Sequence, residues 1–160
     1  MQSVKIICIG RLKDTFFRDA SDEYMKRLKA YCKAEIIEIN AAALPENPSD
    51  TLIESALEKE ADAIIKKIPS GAYVAAMCVE GKLFSSEDMA KCLSSAAMRG
   101  SGDIVFVIGG SYGLSDRVKQ RADVKISASR MTFPHRLFRV MLLEQIYRGY
   151  KINAGEKYHK

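Results

Sequence analysis

The run Ile104-Val105-Phe106-Val107-Ile108 is apolar at every position and passes directly into Gly109-Gly110-Ser111-Tyr112-Gly113. Successive side chains of a β-strand point to opposite faces, so a strand with no polar alternation is covered on both sides. The cover has to be helical or a second sheet, and the rest of the chain decides which. The glycines that follow lack a Cβ, so the exit turn can be sharp and its backbone can approach a ligand closely.

The remaining segments supply helices. Ser3–Ile9 reads as a first strand, and Phe16 to Lys33 as an amphipathic helix with Phe17, Ala20, Tyr24, Leu28 and Tyr31 at helical spacing. Glu35–Ile39 is a second short strand. A helix is predicted over Asp50 to Lys67, capped by Ser49 or Asp50 and stopped by Pro69-Ser70-Gly71. Ala72 to Val79 is apolar on both faces and reads as a central strand. Ser85-Ser86-Glu87-Asp88 has capping-box spacing and opens a helix to Met98. After the 104–108 strand, Leu114-Ser115-Asp116 caps a short helix to about Ala122, and Val124–Ser127 is a fifth strand. Pro134 suits the first turn of a last helix reaching about Tyr150. This alternation predicts one α/β domain over residues 1–160, a mostly parallel sheet with helices on both faces. Ligands of such sheets bind beyond the carboxyl ends of the strands.

Charge is distributed unevenly. Residues 99–160 hold 12 Lys and Arg against 5 Asp and Glu, a net +7, while residues 1–98 hold 13 against 15, a net −2. The half that carries the glycine loop is therefore the basic half, which suits a polyanionic partner such as nucleic acid. The four cysteines, Cys8, Cys32, Cys78 and Cys92, are scattered, with no C-x-x-C pair, so neither a zinc site nor a redox motif is indicated. Cys8 and Cys78 sit in strand-like runs and read as core filler. Scattered thiols fit a reducing, cytoplasmic compartment. No apolar run approaches the roughly 20 residues of a membrane span, and the first residues lack the pattern of a secretory signal.

Each candidate motif carries a bland reading beside a functional one. Gly109 to Gly113 is neither G-x-G-x-x-G nor a Walker loop, and it fits a tight strand-to-helix turn as well as a ligand loop. Met131-Thr132-Phe133-Pro134-His135 fits the start of a helix, with Thr132 as a cap. His135, beside Arg136, reads as a solvated first-turn residue as readily as a base. The last helix is apolar around most of its circumference through Leu137, Val140, Met141, Ile146 and Tyr147, which suits burial on more than one side, within the domain or between two chains. The end, Gly155 to Lys160, reads as a frayed terminus. Its Tyr158-His159 pair is also of the kind that stacks on a base and titrates beside it.

Taken together, Ile108 to Ser115, Met131 to His135, Leu143 to Arg148 and the Tyr158-His159 ending closely resemble the ribosomal RNA large subunit methyltransferase H family, and Val4 to Leu12 fits it too. The resemblance covers essentially the whole chain. It implies a SPOUT-type α/β fold with a C-terminal trefoil knot, a homodimer, S-adenosylmethionine as methyl donor, and N3 methylation of a pseudouridine in 23S ribosomal RNA. It places the cofactor among loops at Met77, at Gly109, and at Ala128, Ser129, Arg130, Met131, Thr132 and Phe133. His159 and Tyr158 are the expected catalytic pair. Arg130, Arg136 and Lys157 are the expected RNA contacts, and no metal is implied. Two other classes stay open: a non-catalytic ribosome-assembly factor using the same basic face, and a Rossmann-like enzyme of small-molecule metabolism. Methyl transfer from labelled S-adenosylmethionine to RNA separates the first reading from both.

Overall fold

Strands and helices alternate from end to end: β1 (Ser3–Ile9), α1 (Thr15–Leu28), β2 (Lys33–Ile39), α2 (Asp50–Lys67), β3 (Tyr73–Leu83), α3 (Ser86–Ala97), β4 (Ile104–Ile108), α4 (Asp116–Arg121), β5 (Val124–Ser127) and α5 (His135–Asn153). The computed structural model describes all of residues 1–160. The five strands form one sheet in the order β2-β1-β4-β3-β5, and every pairing is parallel.

β4 occupies the middle of this sheet, and all five of its residues are buried. Ile104, Phe106 and Ile108 face a core shared with Leu28, Leu93, Leu142, Leu143 and Ile146 of α1, α3 and α5. Val105 and Val107 face the opposite core, with Ala61 and Ile64 of α2 and Val118 of α4. At about 1.5–3 kcal/mol for each large buried side chain, β4 alone contributes on the order of 10 kcal/mol before chain entropy is subtracted. The predicted helices on both faces are present.

Local chemistry sets the helix starts as expected. The Ser49 hydroxyl accepts from the Leu52 amide and opens α2. Ser85 and Asp88 form a reciprocal capping box at α3. Ser115 caps α4 by accepting from the Val118 amide.

Three boundaries differ from expectation. α1 stops at Leu28, not at Lys33, because Cys32 turns into the core and Lys33 already pairs with β1, its amide donating to the Gln2 carbonyl at 2.9 Å. β3 continues past Val79 to Leu83. Its residues 78–81 bulge outward, and Lys82 and Leu83 then rejoin β5, so Ile126 faces both Met77 and Lys82. A Cβ on Gly81 would lie 2.6 Å from the Ile126 backbone, so glycine is what lets the two strands pass. α5 extends to Asn153 with Pro134 as its N-cap, one position before the first turn. Of the helix's expected packing residues, Ile146 is fully buried, while Leu137 is 36% exposed.

One buried charge was not foreseen. Arg139 of α5 is 3% exposed. Its guanidinium donates to Glu38 of β2 at 2.6 Å and to the Gly10 carbonyl at 3.0 Å, while the same Glu38 oxygen accepts from the Leu12 amide at 3.2 Å. This node ties the first half of α5 to the ends of β1 and β2. Removing the carboxylate leaves a buried cation without its counter-charge. Glu38→Ala should lower stability by about 2 kcal/mol, seen as a reduced urea midpoint at unchanged slope; an unchanged midpoint would mean that the node contributes nothing.

Candidate functional site

The carboxyl ends of β3, β4 and β5 lie side by side, and the three segments leaving them enclose a cleft of about 770 Å³. Its first wall is the end of β3 with the bulge, Met77 to Glu80. Its second is the loop Gly109 to Leu114. Its third is the segment Ser127 to Pro134, followed by His135 and Phe138 of α5. The sheet places ligand-facing segments together because parallel strands end on the same side.

The β4 loop is folded back on itself. Gly110 and Gly113 form an antiparallel bridge, the Gly113 amide donates to the Gly110 carbonyl at 3.1 Å, and Gly113 takes φ +78°. Leu114 then drops into the core and Ser115 caps α4. A Cβ on Gly109 would lie 2.6 Å from the Gly113 carbonyl carbon and closer still to its oxygen. The loop's own backbone thus requires the glycine.

The β5 loop is held by its serines. The Ser127 hydroxyl donates to the Ser129 carbonyl at 3.1 Å, and the Ser129 hydroxyl accepts from the Met131 amide at 3.0 Å. No amide from Ala128 to Phe133 donates to a backbone carbonyl. A segment of this kind at the rim of a cleft offers main-chain donors and acceptors to the polar edge of a planar ligand.

The structure brings Met77, Gly109, Ala128, Ser129, Met131, Thr132 and Phe133 together around the cleft. Arg130 belongs to the same loop, but it is exposed and is not among the lining residues. Cys78 is not core filler: it is half-buried and faces the cleft, with burial raising its thiol pKa above the ordinary value. Cys8 is core, and burial pushes its pKa up to about 12. Glu80, Lys119 and Phe138 also line the cleft and were not among the expected site residues. Glu80 interrupts an apolar strand just where the strand meets the cleft, a usable signal. Lys119 looks like any surface lysine.

His135 lines the cleft and is half-buried. Its pKa is lowered from 6.5, first by burial and then by Arg136 and Arg139. A depressed histidine binds fewer protons folded than unfolded, so stability contributed by its neutrality is lost as pH falls below about 6.5. Its C2 proton should titrate with a midpoint below 6.5 by NMR, and His135→Asn should flatten the acid side of the stability curve; a midpoint above 6.5 would contradict the assigned environment.

The tail lies elsewhere. The Tyr158 ring packs edge-on against Tyr147 at 5.0 Å and lies under the Arg148 guanidinium at 4.7 Å, and its hydroxyl meets Glu144 at 3.2 Å. His159 Nε2 is 2.8 Å from Glu87 and Nδ1 is 3.2 Å from Arg148 Nη1. Since arginine only donates, Nδ1 accepts and Nε2–H donates, which is the neutral tautomer. Thirteen residues of α5 separate Arg148 from His135, roughly 20 Å at 1.5 Å per residue. The structure therefore does not bring Tyr158 and His159 into the cleft of their own chain. Lys157 is exposed beside them, and Arg136 pairs with Asp14 at 3.4 Å.

A family model described as a predicted SPOUT methyltransferase matches residues 2–159. Two proteins called ribosomal RNA large subunit methyltransferase H, from Clostridioides difficile (strain 630) and Bifidobacterium animalis subsp. lactis (strain AD011), are 48% and 47% identical to the chain over 158 residues, covering 99% of it and 99% of each relative. Among solved structures, a probable methylase family protein from Haemophilus influenzae Rd KW20 matches with a TM-score of 0.54 at 12% identity, covering 98% of this chain and 70% of that one, a likeness of fold alone.

Proposed function

Since the chain belongs to the SPOUT methyltransferase family, we propose that its cleft holds S-adenosylmethionine and that it methylates N3 of a pseudouridine in large-subunit ribosomal RNA. Its activity is methyl transfer to ribosomal RNA, in line with relatives at 48% identity over nearly their whole length. The non-catalytic assembly factor and the small-molecule enzyme find no support among these relatives.

The observation that carries the reading is the cleft. Three loops meet at the carboxyl end of a parallel sheet, and one of them, Ala128 to Phe133, presents main-chain groups with no backbone partner. These suit the hydrogen-bonding edge of an adenine, with Met77 and Phe133 supplying apolar walls. The cofactor supplies an electrophilic methyl group on a sulfonium. The protein has to seat the acceptor nitrogen in line with that methyl at about 3–3.5 Å. N3 of a uracil-like ring lies between two carbonyls and must lose its proton before its lone pair can attack. His159 is the candidate base, its Nδ1 lone pair becoming free for the acceptor's proton once it leaves Arg148, and Tyr158 is the candidate stacking partner.

The tail lies roughly 20 Å along α5 from its own cleft, so it serves the cleft of a second copy in a homodimer. Val79, Tyr112 and Met131, exposed near the cleft, and Leu137 on α5 are apolar surface for that pairing. Arg130, Arg136 and Lys157 belong to the basic half and contact RNA phosphate. The trefoil knot belongs to this reading, as does an assembled ribosome as substrate. Cytoplasmic location follows from that substrate; the four free cysteines accord with it, and no helix is long and apolar enough to cross a membrane.

The test is methyl incorporation from labelled S-adenosylmethionine into ribosomes carrying pseudouridine, beside ribosomes carrying uridine at the same position. Label on N3 of the pseudouridine alone is the expected result. Equal labelling of both, or of neither, would overturn the substrate assignment.

A further inference from the structure

Only two charged side chains line the cleft once His135 is neutral: Glu80 on the β3 bulge and Lys119 on α4. They reach each other and form an ion pair, with side chains 45% and 22% exposed. Neither has another salt-bridge partner. Their hydrogen bond lowers the Glu80 pKa and raises that of Lys119, so both are charged at neutral pH. One contact leaves each with spare capacity, since an ammonium has three donors and a carboxylate about four acceptor sites. An exposed pair of this kind contributes little to stability, so folding alone does not account for a paired charge set into an otherwise apolar and hydroxyl-lined wall.

We propose that Lys119 and Glu80 form the subsite for the amino-acid end of the cofactor, Lys119 binding its α-carboxylate and Glu80 its α-ammonium. This rests on the cleft being the S-adenosylmethionine site. The chemistry divides the ligand. Adenine and ribose are uncharged and match the main-chain groups and apolar walls of the β4 and β5 loops. The methionine end is a zwitterion, which needs one anion and one cation close together, and the cleft contains one of each, already adjacent. Binding would exchange a single ion pair for an alternating set of four charges, without bringing an unpaired charge into the cleft. Both residues hold the ligand and take no part in proton or methyl transfer.

The experiment compares calorimetric binding of S-adenosylhomocysteine, which carries the amino-acid end, with 5′-methylthioadenosine, which lacks it. The native protein should prefer S-adenosylhomocysteine by about tenfold or more, equivalent to about 1.4 kcal/mol. Lys119→Met keeps the apolar stem and should erase most of that preference while changing 5′-methylthioadenosine affinity less than about twofold. Lys119→Arg should retain the preference, and Glu80→Gln should reduce it. Binding of 5′-methylthioadenosine reports that each variant is folded with its cleft intact. An unchanged preference in Lys119→Met, or an equal loss for both ligands, would overturn the proposal while leaving the cleft as the adenosine site. Failure of the native protein to bind either ligand would overturn the cofactor site itself, and this proposal with it.

Discussion

Gly109→Val is expected to weaken S-adenosylhomocysteine binding by at least about a hundredfold, near 2.7 kcal/mol, and to lower stability by about 1–3 kcal/mol. The cause lies within the loop. A β-carbon at 109 meets the Gly113 carbonyl, so the bridge between Gly110 and Gly113 cannot persist unchanged. Opening that bridge moves Ser111 and Tyr112, which form one wall of the cleft. β4 ends one residue earlier and is buried throughout, so the sheet should survive. Calorimetry and thermal unfolding on the same preparation check both halves. Native affinity in the folded variant would show that the β4 loop does not form the cofactor site.

Deleting Tyr158, His159 and Lys160 is expected to reduce methyl transfer by about a hundredfold or more, the low end of what a positioned general base contributes. Cofactor affinity should change little, because in this reading the tail acts on the target base while the three loops hold the cofactor. Stability should fall by only about 1 kcal/mol, since the lost contacts are partly exposed: the Tyr158 ring on Tyr147 and Arg148, and His159 on Glu87. The two chains of the proposed homodimer allow a stricter test. A Gly109→Val chain retains its tail, and a truncated chain retains its cleft. Mixed dimers of these two inactive proteins should regain up to about half of the native activity per pair when the tail of one serves the cleft of the other. Undiminished turnover by the truncated enzyme would remove the tail from the mechanism and shift attention to His135. Impaired turnover without recovery in proven mixed dimers would place the tail's action within its own chain.

The predicted alternation of strands and helices is present because it rests on local causes. Five consecutive apolar residues at 104–108 can be satisfied only by cover on both faces, and Ser49, Ser85 and Ser115 cap helices through their own neighbours' amides. Errors collect where a distant segment decides. Nothing between Leu28 and Lys33 stops a helix; the need to pair with β1 does. Nothing in Glu80-Gly81-Lys82 resembles a strand, yet β5 lies against it and recovers the pairing beyond the bulge. Arg139, on a helix read as apolar nearly all round, is buried because Glu38 and the Gly10 carbonyl, about a hundred residues or more away, are there to receive it.

The site divides in the same way. Glycines at the end of a buried strand, and a serine- and proline-bearing loop one unit later, mark cleft segments in the sequence itself, because the carboxyl ends of parallel strands share one side of a sheet. The sequence therefore determined the layered α/β class, most element boundaries and the loops that line the cleft. Only the tertiary structure decided that Gly109 is required by Gly113, that Cys78 faces a cavity, that Glu80 and Lys119 pair on its wall, and that Tyr158 and His159 lie far along α5 from it. The physical reason is range: strand burial and helix caps are settled within a few residues, whereas these contacts join segments whose separation in the chain says nothing about their distance in space.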